Sequence, residues 1–300
     1  MSEFIHLHAI GDLTKLFGLD LPIHHPLIAV LDFGKVEHIP EQRKVSADFY
    51  CMIFKDHCRN HLTYGRKVID FQNGSLVCMA PNQLIELDVE QPSDMIGWGV
   101  FFHPDLIRAS ALNDNIKNYT FFSYEITEAL HLSEKERQTL YDCVTKLRDE
   151  LQENIDIHSQ AIIVSTLELL LNYCTRFYGR QFITRKSSNH TVVAQVEKLL
   201  SEYFQKNAIS ENGLPTVKYL AEQVNLSPGY LSDLLKKETG KNTQDHIHYY
   251  LIEEAKNILL NTDKSVGEIA YALGFEYPQY FNKLFKKKTG KTPIEFRNLS

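Results

Sequence analysis

The feature that most constrains this 300-residue chain is an internal repeat: PQYFNKLFKKKTGK, Pro278 to Lys291, restates PGYLSDLLKKETGK, Pro228 to Lys241. Pro, Tyr, Leu, Lys, Lys, Thr, Gly and Lys recur in the same order, the mark of a duplicated supersecondary unit. Each copy predicts one helix. Proline opens it at a position where an amide N–H would have no partner anyway, and Gly240 or Gly290 stands where a left-handed C-terminal cap is needed. Helical spacing sorts each copy onto two faces. Leu231, Leu234 and Leu235 turn inward in the first, against Gly229, Ser232, Asp233 and Lys236 outward. In the second, Phe281, Leu284 and Phe285 oppose Gln279, Asn282, Lys283 and Lys286.

Each copy follows a shorter amphipathic segment and a turn. Val217 to Val224, then Asn225-Leu226-Ser227, precede the first. Val266 to Leu273, capped by Ser265, then Gly274-Phe275, precede the second. That is the spacing of a helix-turn-helix, whose second helix can enter a DNA major groove. Between the units, Thr243 to Leu260 reads as a connecting helix with Ile247, Leu251, Ile252, Ala255, Ile258 and Leu259 apolar. PIEFR, Pro293 to Arg297, closes with a last helical turn. Ahead of both units, Val192, Val193, Val196, Leu199, Leu200, Tyr203 and Phe204 form one apolar helix face.

Charge divides with the pattern. Up to Thr184 there are 16 basic and 25 acidic residues, a net −9, and beyond it 16 and 13, a net +3. A basic C-terminal part on an acidic chain suits an anionic partner engaged locally. Polar Thr184 to His190 reads as an interdomain linker, giving expected bounds of 1–183, a linker at 184–191, and 192–300. Five cysteines without C-x-x-C spacing suit free thiols in a reducing compartment. MSEFIHLHAI lacks the basic start and apolar run of a signal peptide, and no apolar segment reaches about 20 residues, so a cytoplasmic protein off the membrane is expected.

The N-terminal half has another texture. Residues 1 to about 26 read as an arm or loop. Then come β-type runs, LIAVLDF, ADFYCMIFK, KVIDF, SLVCMA, QLIELDV and MIGWGVFFH, with Gly65 and Asn73-Gly74 for tight turns, which predicts a sandwich or barrel. Ser133 with Glu134 and Glu136 opens a helix carrying Leu140, Val144, Leu147 and Leu151. A second helix, Gln160 to Tyr178, is apolar on most sides. The pair would close the barrel domain or build a homodimer seam.

The stretches YLAEQVNLSPGYLSDLLKKETGK and EIAYALGFEYPQYFNKLFKKKTGKTPIEFR resemble the AraC/XylS family of bacterial transcription regulators, over roughly the last hundred residues. The resemblance implies an N-terminal cupin-like β-barrel with α-helices, for effector binding or dimerisation, and a C-terminal all-α domain with two helix-turn-helix motifs joined by a helix. Its partners would be double-stranded operator or promoter DNA, a small-molecule effector, a second copy of the chain, and RNA polymerase if it activates. Carried over residue by residue, the family's base-facing positions fall on Gly229, Ser232, Asp233, Gln279, Asn282 and Lys283. Glycine and acid in the first unit depart from the larger or basic side chains frequent there, and Leu251 stands where family members commonly have arginine. Gly74-SLVCMA-Pro81 resembles the second cupin motif, but Leu84 and Ile85 occupy the region where a metal-binding cupin has histidine.

The chemistry agrees with a groove reader. Asn and Gln can bond adenine N6 and N7, lysine guanine O6 and N7, and aspartate cytosine N4; a lysine pairing with Asp233 is the alternative to base reading there. Lys236, Lys237, Lys286 and Lys287 are expected at phosphates, in a run that Lys288 and Lys291 extend without an acid. Ser227 is expected as an N-cap whose helix end also faces a phosphate. Tyr50 and Trp98 are the candidates for an effector pocket. His57, Cys58 and His61, like His24 and His25, lack a fourth ligand, so no metal and no cofactor are expected. No phosphate loop, nucleophile elbow or acid-base pair appears, which points away from an enzyme. The rivals are a regulator whose N-terminal domain only dimerises or contacts protein, and a metal-dependent cupin enzyme fused to a DNA-binding tail.

Overall fold

The computed structural model describes residues 4–18, 25–36, 43–57, 62–64, 67–69, 74–87, 96–153, 156–184, 186–205, 209 and 213–298. It divides into two compact units, Met1–Thr184 and Arg185–Ser300.

The N-terminal unit is built on β-sheet. Strands β1 (Phe4–Leu7), β2 (Ile28–Asp32), β3 (Arg43–Ala47), β4 (Tyr50–His57), β5 (Leu62–Tyr64), β6 (Lys67–Ile69), β7 (Ser75–Met79), β8 (Ile85–Leu87), β9 (Ile96–Phe102) and β10 (Leu130–His131) form three sheets. The largest is antiparallel in the order β10-β7-β4-β9-β2; a second runs β1-β3-β8, and β5 pairs with β6. Among the described residues these sheets do not close into a barrel. The spacing of the runs predicted a sandwich or a barrel; the described strands form open sheets, of which the two larger share one apolar core.

Strand alternation sets that core. Ala29, Leu31, Cys51, Val77, Met79 and Phe101 of the large sheet are buried together with Leu7, Val45 and Ala47 of the second sheet. The intervening residues turn to the sheet's other face. There Tyr50 stacks on Phe102 with centroids 4.8 Å apart and meets Phe122 edge-on, and Phe54 stacks on Trp98 at 5.5 Å.

The arm expected over residues 1–26 is replaced, where described, by β1 and the helix α1 (Asp12–Phe17). The strand was hidden because its partner β3 lies some forty residues away in parallel register. The helix was legible: Leu13, Leu16 and Phe17 are buried and Gly18 caps it at φ 59°. His25 is buried and its Nδ1 accepts the Leu27 N–H at 3.1 Å. His24, Cys58 and His61 fall outside the described residues, as do Gly65 and Asn73; Gly74 takes a left-handed turn at φ 80°.

Two short helices, α2 (Pro104–Ile107) and α3 (Ala111–Asn115), lead through 3-10 turns to α4 (Glu134–Gln152) and α5 (Ser159–Thr184). Ser133 and Glu136 form a reciprocal capping box that fixes the start of α4. α4 and α5 pack on each other, with contacts from α4 to β2 and from α5 to β10. Arg180 ties the pair together, donating to Glu136 at 2.7 Å and to the His131 carbonyl at 2.6 Å. No described helix is long and apolar enough to cross a membrane.

The C-terminal unit is all helix among its described residues. The expected linker is not a coil: α6 (Lys186–Gln205) begins almost at once. Polar KSSNH lacks apolar periodicity yet has no residue that stops a helix, and Asn189 is buried with its amide donating to Glu238 at 3.0 Å.

At Gly97 a Cβ would lie 2.0 Å from the Phe54 carbonyl oxygen, and the glycine holds φ 154°. Gly97→Ala is expected to lower the stability of the N-terminal unit by about 2–4 kcal/mol, read by chemical denaturation with Trp98 fluorescence.

Candidate nucleic-acid interface

Both duplicated helices are placed by the same local devices. α7 (Val217–Gln223) starts at Thr216, whose hydroxyl accepts the Tyr219 N–H. It ends in a turn with Asn225 at φ 56°. The Leu226 N–H reaches back to the Ala221 carbonyl at 3.0 Å and Asn225 N–H to Glu222 at 3.3 Å. This Schellman pattern satisfies the last carbonyls and turns the chain sharply. α8 (Pro228–Thr239) follows, then the connecting helix α9 (Thr243–Asn261).

The second unit repeats the geometry. α10 (Val266–Ala272) opens on a Ser265–Glu268 capping box. Its turn has Gly274 at φ 79°, with Phe275 N–H to Ala270 at 3.0 Å and Gly274 N–H to Tyr271 at 3.0 Å. α11 (Pro278–Thr289) and α12 (Pro293–Arg297) complete it. Gly240 and Gly290 adopt φ 77° and 78°. Thr239 and Thr289 then donate to the carbonyls four residues back, Leu235 and Phe285, at 2.8 Å each.

The inward faces are buried: Leu231, Leu234, Leu235, Phe281 and Phe285, with Leu284 half-buried. Leu251, at the arginine position of the family, is wholly buried beside Ile252, Ala255 and Leu259. Position 251 therefore serves packing in this chain.

The outward faces differ between the copies. Gln279, Asn282, Lys283, Lys286 and Lys287 are exposed on α11. On α8, Lys236 and Lys237 are exposed, whereas Gly229, Ser232 and Asp233 are half-buried. Ser232 Oγ lies 3.1 Å from Thr243 Oγ1, a hydroxyl with no exposure, so it is engaged within the fold. Ser227 is 3% exposed and its hydroxyl accepts the Tyr230 N–H at 3.2 Å. The N-cap role expected of Ser227 is thus in place, with its hydroxyl committed to the cap.

Lys288 also departs from its expected freedom. Its ammonium donates to Asp245 of α9 at 2.8 Å, and that bond holds the Asp245 carboxyl below its ordinary value. Burial pushes His246 and His248 of the same helix down, which favours neutral imidazoles there.

Tyr277 and Tyr280, unnoticed as site residues, flank the start of α11, 48% and 63% exposed with rings 5.9 Å apart. Tyr277 offers no side-chain cap. The first turn of α11 thus lacks the side-chain cap that Ser227 gives α8, and its Tyr280 N–H donates instead to the Tyr277 carbonyl at 3.1 Å. Exposed aromatics beside a polar helix face were a readable signal.

The sequence model of the helix-turn-helix domain family matches residues 220–299, which spans both turns. The C-terminal unit is a DNA-binding domain of the AraC/XylS family. Over 102 residues, 34% of its length, the chain is 36% identical to the Bacillus subtilis bifunctional transcriptional activator/DNA repair enzyme AdaA, covering 47% of that protein. Over 118 residues, 39% of its length, it is 33% identical to the uncharacterized HTH-type transcriptional regulator YobQ of B. subtilis, covering 45% of it. The chain thus spans about half the length of these curated relatives. Among solved structures, the C-terminal domain of AraT, a response regulator from Geobacillus stearothermophilus, is 28% identical, matching 36% of this chain and 85% of that one with a TM-score of 0.32.

In the N-terminal unit the candidate effector residues are not where the cavity lies. An apolar cavity of about 50 Å³ is lined by Leu7, Phe17, Val45, Cys51, Ile53 and Phe101, among others. Tyr50 and Trp98 belong to the opposite strand parity and point into the aromatic cluster on the other face. One residue of register separates a pocket wall from the reverse of the sheet.

The AraC/XylS unit is closed by Arg297 of α12. Its guanidinium donates to the Leu259 carbonyl at 3.1 Å and the Lys264 carbonyl at 2.6 Å, satisfying the end of α9. Arg297→Ala is expected to cost about 2 kcal/mol in denaturation of the C-terminal unit and to weaken DNA binding with it. The Lys288–Asp245 tie is present at neutral pH. Because the Asp245 carboxyl is depressed in the fold, the tie is lost only as pH falls through that depressed value. Asp245→Asn should therefore lower stability across the neutral range, where the tie is present, and converge with the parent chain as pH falls through the depressed value, which flattens the acid limb of a pH–stability profile.

Proposed function

We propose that the chain is a sequence-specific DNA-binding transcription regulator in which α11 and α8 enter successive major-groove segments on one face of the duplex. The observation that carries this reading is the duplicated pair of capped turns with polar outward faces, joined by a helix of fixed length. The nineteen residues of α9 extend for about 28 Å at 1.5 Å per residue, comparable to the roughly 34 Å between successive groove segments.

The reading is asymmetric. Gln279, Asn282 and Lys283 are assigned to base edges, Lys286 and Lys287 to phosphates, and Lys236 and Lys237 to phosphates on the first unit. Gly229, Ser232 and Asp233 contribute less to base reading, because Gly229 has no side chain and the Ser232 hydroxyl is engaged with Thr243. The N-terminal unit is assigned a cupin-related role in sensing a small apolar effector at the cavity lined by Phe17 and Phe101. A second reading, dimerisation through α5, is favoured by Ile162 and Leu169, seven residues apart on that helix and 46% and 42% exposed. Regulation, with RNA polymerase as partner if the chain activates, is supported by the regulator names of the relatives above, of which AdaA is named as a DNA repair enzyme as well.

An operator selected from random DNA tests the assignment. Asn282→Ala or Lys283→Ala should cost about 1–3 kcal/mol on that operator and relax preference at one or two positions. Lys286→Ala or Lys287→Ala should weaken all sequences evenly and reduce the salt slope by about 1. Unchanged operator affinity in both Asn282→Ala and Lys283→Ala would sink the base-reading role of α11. Sedimentation of Leu169→Glu against the parent chain decides the dimer reading: a shift to monomer supports it, and identical profiles exclude that face.

A further inference from the structure

A second cluster stands in the N-terminal unit, on β1 and the turn that follows β3. β1 and β3 run parallel with His6 opposite Ser46, and the pairing continues as the Asp48 N–H bonds the Leu7 carbonyl at 2.9 Å. Alternation puts His6 and His8 on one face beside Ser46 and Asp48, while Leu7, Val45 and Ala47 turn into the core on the other. His6 Nε2 lies 2.9 Å from Asp48 Oδ1, and His8 Nδ1 lies 3.0 Å from Asp48 Oδ2. The two imidazoles meet edge to face at 4.5 Å. One ligand atom from each of the three residues falls within 4.8 Å of the others.

We propose that His6, His8 and Asp48 form a surface site for a divalent transition-metal ion of the zinc class. Two imidazoles with one carboxylate suit zinc and its neighbours, whereas calcium and magnesium select oxygen ligands. Around an ion with bonds of about 2.0 Å, tetrahedral ligand atoms stand about 3.3 Å apart, within reach of small side-chain rotations from the present separations. The support such ligands need is already built. The remaining nitrogen of His6, Nδ1, lies 2.6 Å from Oγ of buried Ser46, the outer-shell bond that fixes the tautomer of a metal-binding histidine. The corner after β1 is also fixed, because the N–H groups of His8 and Ala9 both donate to Asp12 at 3.0 Å.

Binding would exchange partners without any redox step. In the metal-free cluster His6 Nε2–H and His8 Nδ1–H donate to Asp48. With the ion bound, those nitrogens give lone pairs to the metal and each ring carries its proton on the other nitrogen, His6 towards Ser46 and His8 towards solvent. The His8 side chain is 75% exposed, so an outer coordination position stays open to water. The site backs directly on the strands whose inner residues line the apolar cavity, and it stands whether or not the DNA-reading assignment holds.

The test is calorimetric titration of the chelator-treated full chain with zinc chloride at about pH 7.5, with cobalt(II) as an optical probe. The expected result is one equivalent bound, a cobalt d–d spectrum of nitrogen and oxygen ligation, and loss of both in His8→Ala. Asp48→Asn should weaken binding at least tenfold, and Ser46→Ala by about tenfold. His158→Ala, at an exposed histidine outside the cluster, should change nothing. His8→Ala should also melt like the parent chain in the absence of metal, so that its loss of zinc is not a loss of fold. No stoichiometric zinc uptake by the parent chain, or unchanged uptake in His8→Ala and Asp48→Asn, would overturn the assignment.

Discussion

The C-terminal unit depends on the burial of one helix between two copies of the same motif. The connecting helix Thr243–Asn261 contacts α8 of the first unit and α10 and α12 of the second. Its Ile247, Leu251, Ile252, Ala255 and Leu259 are almost fully buried. A helix packed on both sides at crystal-like density has no freedom to slide, so the spacing and relative tilt of α8 and α11 are set by its core. The polar ties, Lys288 to Asp245 and Arg297 to the carbonyls of Leu259 and Lys264, add direction to that packing rather than replacing it. Leu251 in place of a polar residue fits the same logic. Fixed geometry of this kind is what a two-segment reader of a regular duplex requires.

Duplication conserved the scaffold and let the surfaces diverge. The two turns share their left-handed residue and the same backward hydrogen bonds, although one uses Asn225 and the other Gly274. The two caps after the recognition helices share glycine and threonine. What differs is what the outward faces offer. α11 presents amide and lysine side chains freely, flanked by two exposed tyrosines and an uncapped first turn. α8 has its first turn capped by Ser227 and its Ser232 engaged with the connecting helix. The proposed reading accordingly concentrates affinity and sequence reading in the second unit.

The C-terminal architecture was legible in the sequence because its determinants are local. Pro228 and Pro278, Gly240 and Gly290, and the caps Ser265 and Thr216 act within a few residues, and α8, α11 and α12 have the bounds that their prolines and caps predict. In the N-terminal unit the start of α4 was legible at Ser133 and Glu136, but the sheets were legible only as texture. β1 is four residues whose pairing comes from a strand far along the chain, and a barrel could not be told from open sheets by strand spacing alone. Tyr50 and Trp98 show the same limit at a site. Both are buried or half-buried aromatics in the right strands, but the cavity lies behind Cys51 and Phe101, one residue away in parity. His6, His8 and Asp48 were invisible as a set for a related reason, since only parallel register brings them together.

The central claim, that one rigid helix holds two groove readers in step, is tested most directly by guanine N7 methylation interference along the selected operator. The account predicts two clusters of interference, centred about 10 bp apart on one face of the duplex, with the stronger cluster weakened selectively by Asn282→Ala. A single cluster, or two clusters on opposite faces, would contradict it.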